Sequence, residues 1–169
     1  VVVVGFARER DVLSSSGVLL MCWAVGSLGA GVIAGLVTWR RTPLARWRVG
    51  AVALAVTLLP MPFVGPAWLL GALLAVSGFA IAPTLIASVS VVQTSVPAVR
   101  LTEALGWSST GISAGVATGA ALGGAAVDRT GSTGGFALVV GFGVLLVVGV
   151  LLVRTPTTVV QEPADQPLR

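Results

Sequence analysis

Residues 111–123 read GISAGVATGAALG, with Gly111, Gly115, Gly119 and Gly123 each four positions apart. At 3.6 residues per turn, that spacing holds glycine near one side of a helix for three consecutive turns. In a water-soluble helix each such glycine costs about 1 kcal/mol relative to alanine. Lipid offers the compensation. Helices there gain nothing from hiding apolar surface and associate through close van der Waals contact, which small residues four apart permit. Ser27, Gly31 and Gly35 repeat the spacing earlier in the chain. Both stretches are expected to be helix-packing faces. The pattern fits static packing first; a contact that slides or rocks during a cycle is the sharper alternative.

Composition supports lipid as the solvent. Of 169 residues, 56% are hydrophobic and 9% charged, against about 25% charged in a typical soluble domain. Mean hydropathy is +1.02. Membrane helices need about 20 mostly apolar residues, and five stretches qualify: about 17–38, 48–63, 67–93, 102–127 and 135–153. Pro60, Pro62 and Pro66 end the second of these, and Pro83 interrupts the third. Residues 1–7 read as the end of a further apolar helix, and 154–169 as a polar, proline-rich cytoplasmic tail. The expected fold is all-α, a polytopic membrane helix bundle.

The net charge of +4 does not describe a nucleic-acid surface. Arg40, Arg41, Arg46 and Arg48 crowd one short loop between apolar runs, without an acid. Such a loop is expected in the cytoplasm. Strict alternation then places 8–16, 64–66 and 128–134 outside, and 94–101 and the C-terminus inside. Arg100 and Glu103 complete the charges expected on the cytoplasmic side. Glu103 fits a helix's first turn, where an acid complements the helix dipole; a charge lock at the cytoplasmic mouth is the competing reading.

Catalytic chemistry has little to work with. There is no histidine, and Cys22 is the single cysteine, so His-based metal sites and Ser-His or Cys-His pairs are excluded. No charge falls within the apolar centre of any span, so a proton relay is not expected here. Neither a metal nor a cofactor is expected. The polar signal that remains is a line of hydroxyls in the third span, Ser77, Thr84 and Ser88, flanking Pro83. Ser and Thr can return their protons to the helix's own carbonyls. They can also line a water-filled cavity, beside which irregular backbone is tolerated at membrane depth. On the second reading these three are cavity-lining candidates and Pro83 is the kink of a pathway-lining helix.

Taken in order, WAVGSLGAGVIAG (23–35), GFAIAPTLIAS (78–88) and RLTEALGWSSTGISAGVATGAALGGAAVD (100–128) resemble the C-terminal half of a bacterial major facilitator superfamily transporter of the efflux type. The likeness runs from the end of the seventh helix through the twelfth and covers essentially the whole chain. It implies half of a secondary transporter that moves a small solute by alternating access. The implied partners are the lipid bilayer, the solute and an N-terminal half of the same transporter. By position, the resemblance makes Ser77, Thr84 and Ser88 cavity-lining, and sets the two glycine-rich spans at the interface between halves. The family's loop motif, G-x-x-x-D-R-x-G-R-[RK], would align with Gly35 to Leu44. Gly35 and Arg40 match, while Trp39 stands at the acid and Thr42 at the second glycine. A membrane scaffold that transports nothing is the alternative; on that reading the hydroxyl line is dispensable.

Overall fold

The computed structural model describes residues 1–38 and 41–153. Its helices are α1 (Val2–Glu9), α2 (Ser16–Leu36), α3 (Pro43–Leu58), α4 (Ala67–Ser95) and α5 (Leu101–Leu152), and no strand occurs among the described residues. Four of them, α2 to α5, are long and apolar enough to cross a membrane. Local signals explain their ends. Thr42 caps α3, accepting the Ala45 N–H at 3.4 Å, with Pro43 in the first turn, where its missing N–H costs nothing. Pro66 precedes α4. Residues 61–63 form a single 3-10 turn that blocks continuation of α3.

The last element is helical across the whole stretch in which the sequence suggests two spans. Gly131 divides it: its φ of 73° and ψ of −174° are not helical, and only glycine adopts that pair without strain. The result is two arms, 101–130 and 132–152.

Packing is arranged around α4, with α2 against one flank and α3 against the other, and α5 closing on α3 and α1. The core gathers Val2, Phe6, Leu19, Met61, Leu70, Leu74 and Phe136 from five segments of chain. Large apolar side chains elsewhere stand open, Leu28, Leu36, Phe63 and Trp107 among them. This distribution suits a bundle whose outer faces meet lipid or further helices.

Two contacts sort the loops by end. Arg48 donates through Nη2 to the Val153 carbonyl at 2.8 Å, so the start of α3 and the end of α5 lie together. Thr42 and Arg48 share a groove with Val91 and Thr94 from the end of α4. At the opposite end, Glu9 bonds Ser132, and Met61 joins the core beside Phe136. The chain ends of the helices therefore fall into two sets, as alternation across a layer requires.

Candidate functional site

The tightest helix contact joins α2 and α4. A Cβ placed on Gly26 would overlap the Ala75 carbonyl, and one on Gly78 would overlap the Trp23 carbonyl. Backbone therefore rests on backbone there, a distance that favours weak Cα–H···O contacts. Ser27 takes part, with its backbone nitrogen 3.1 Å from the Cβ position of Gly78; Gly31 meets Ala82 at 3.9 Å, and Gly35 meets nothing within 4 Å. The packed line on α2 is Gly26, Ala30 and Ala34, the two alanines buried, one residue out of phase with Ser27, Gly31 and Gly35. Its counterpart on α4 is Gly71, Ala75, Gly78 and Ala82. Small residues spaced four, three and four apart are the sequence signal of that surface.

The ladder on α5 is placed differently. Among the described residues, nothing lies within 4 Å of a Cβ added at Gly111, Gly115 or Gly119, and of the ladder only Gly123 meets a neighbour, Val2, at 3.5 Å. Three rungs of four present an open face. Glu103 is exposed in the first turn of this arm, just after Arg100.

On α4, the hydroxyl line lies largely inside the packing. Ser77 is 2% exposed and Thr84 5% exposed. Ser77 donates to the Leu74 carbonyl at 2.9 Å, Thr84 to Ala80 at 2.6 Å and Ser88 to Leu85 at 2.8 Å. Thr84 fills the space left by Gly50, where a Cβ would overlap its Oγ1. Ser88 is half-buried. Pro83 sits on a separate surface, in a trough of about 530 Å³ between α3 and α4 that Arg41 and Arg46 reach at one end. Arg48 is half-buried and bonded as described above. Arg40 lies outside the described residues, as do Trp39 and the tail 154–169.

A contact that sequence reasoning missed holds α1 to the break in α5. Glu9 accepts the Ser132 N–H at 2.7 Å through Oε1 and the Ser132 hydroxyl through Oε2. The first amides of a helix lack intrahelical partners, so Glu9 caps the second arm from a distant part of the chain. Its negative charge also suits that end of the helix dipole. A Cβ at Gly131 would come within 2.8 Å of the same carboxylate oxygen. Phe6 and Phe136 meet edge to face beside it, ring centres 6.1 Å apart, and the Arg10 guanidinium lies 4.8 Å from the Phe6 centroid. In the sequence, RERD (8–11) and DRTGST (128–133) are each near neutral and far apart, so nothing local pairs them.

The decisive comparison concerns the chain as a whole: the family model for the Major Facilitator Superfamily matches residues 3–168. The chain belongs to the Major Facilitator Superfamily. No curated protein and no solved structure matches it. Membership makes this a multi-pass membrane protein of a transporter family, consistent with its four long apolar helices.

Proposed function

We propose that the chain is the C-terminal half of a bacterial secondary transporter, its spans those expected from the sequence, exporting a small solute across the cytoplasmic membrane by alternating access. The observation that carries this reading is the open glycine face of α5. Gly111, Gly115 and Gly119 clear a groove that no other described helix occupies, and lipid tails gain nothing special from such a groove. A second helix bundle rocking against it would. On α2, Gly35, which meets no described neighbour within 4 Å, would extend the moving interface, while Ser27 and Gly31 lean toward α4. The hydroxyls of α4 would border the solute's route, Ser88 being the most accessible of the three, while Pro83 faces the separate trough against α3. The arginine-rich loop supports a cytoplasmic position for the start of α3, and hence for the C-terminus.

The test is a cell-based efflux assay on the gene extended upstream in frame. Gly115→Leu and Gly119→Leu should abolish most transport while surface expression persists, and Leu145→Ala should leave it intact. Equal activity of all three would sink the interface assignment.

A further inference from the structure

We propose that the trough between α3 and α4 holds an anionic phospholipid, with its phosphate at Arg41 and Arg46 and one acyl chain running toward Thr57. The trough has a volume of about 530 Å³ and is walled by both helices, with Ala53 and Thr57 on α3 facing Phe79 and Pro83 on α4. From Arg46 to Thr57 is eleven residues of α3, or about 16 Å along the axis. That is half of the roughly 30 Å hydrocarbon core of a bilayer, the depth of one leaflet.

The polarity of the trough follows the same profile. Its basic groups lie at the end where α3 begins, and the remainder is apolar apart from Thr57, whose hydroxyl is donated to the Leu54 carbonyl at 2.8 Å. A polar solute held at depth would need convergent polar groups at depth, and this trough has them only at its mouth. An amphiphile with a charged head and an apolar tail matches both ends. Charge points to an anionic head: between Asp11 and Glu103 the sequence contains no acid, while Arg40, Arg41, Arg46 and Arg48 fall within nine residues of one another. Basic pockets between membrane helices are suited to anionic headgroups.

The experiment uses the whole chain in nanodiscs of phosphatidylcholine containing a minority of phosphatidylglycerol, followed by native mass spectrometry of the lipid retained after mild extraction. The unaltered chain should retain phosphatidylglycerol in preference to phosphatidylcholine. Each basic group near an anionic surface contributes about fivefold to binding, so Arg41→Gln with Arg46→Gln should lower retention by about 25-fold. Arg41 is exposed, and Arg41→Gln alone, which leaves the packing untouched, should lower it by about fivefold. Ala53→Trp fills the trough without changing charge and should also release the lipid. Arg129→Gln, at the other end of the bundle, should not. Glycerol phosphate, which has the headgroup chemistry but no chain, should fail to displace it. Undiminished retention in the arginine variants overturns the proposal. So does retention in Ala53→Trp, which would reduce the effect to general surface attraction, and so does displacement by glycerol phosphate, which would make the site one for a free anion. Helical circular dichroism of each variant separates loss of lipid from loss of fold, and Arg41→Gln keeps the test decisive if the others misfold.

Discussion

Two glycine-bearing surfaces of this molecule look alike in sequence and differ in what covers them. Gly26 and Gly78 are pressed between α2 and α4, each against a carbonyl of the other helix, whereas Gly111, Gly115 and Gly119 on α5 face open space. Both sets trade helix propensity for close approach. The first makes that approach within the chain, and the second meets no described neighbour. Glycine spacing thus marks a side of a helix that a backbone can approach, and does not say whether one does. The proposed function takes the open face as the surface on which the rest of a transporter moves.

Substitutions at five positions press on this contrast. The largest loss of stability is expected at the covered surface: Gly78→Ala, and equally Gly26→Ala, places a methyl group on a carbonyl that cannot swing away. Overpacking of this kind costs about 1–3 kcal/mol, occasionally more, readable as a fall in the thermal unfolding midpoint in nanodiscs. Next comes Glu9→Ala, which strips Ser132 of both its contacts at the head of the second α5 arm. Leaving such groups unsatisfied costs about 1–3 kcal/mol, with Glu9→Gln expected to lose less because an amide oxygen still accepts. Thr84→Val keeps the shape that fills the gap at Gly50 and removes only a bond to Ala80, so a loss of about 1 kcal/mol or less follows. The smallest effect belongs to the open surface: Gly115→Leu should change stability of this chain by no more than about 0.5 kcal/mol, since nothing stands where the side chain would go.

Much of the architecture is legible in the sequence because lipid imposes it. Long charge-poor runs, prolines at their ends and a basic loop reveal helices and their alternation without reference to any partner. The break within α5 is partly legible: a glycine in DRTGST sits where two apolar runs meet, yet only the three-dimensional backbone shows that α5 remains helical on either side of a single non-helical residue. Tertiary phase is harder to read. On α2 the sequence offers Ser27, Gly31 and Gly35 as readily as Gly26, Ala30 and Ala34, because small residues occupy adjacent lines of the helix and alanine serves as well as glycine once the backbones have met. The hydroxyls of Ser77, Thr84 and Ser88 form a regular line whether they face water or their own carbonyls. Periodicity records the side of a helix they share, not the neighbour on that side. Glu9 and Ser132 are invisible together for a simpler reason: 123 residues separate them, and neither carries a local pattern.

The most direct measurement is a side-by-side thermal unfolding of Gly78→Leu and Gly115→Leu in the same nanodiscs, against the unaltered chain. The account predicts that Gly78→Leu fails to fold or melts far earlier, while Gly115→Leu melts with the unaltered chain. If Gly115→Leu is destabilised as severely as Gly78→Leu, the α5 ladder is already occupied within this chain, and the contrast between covered and open glycine faces is wrong.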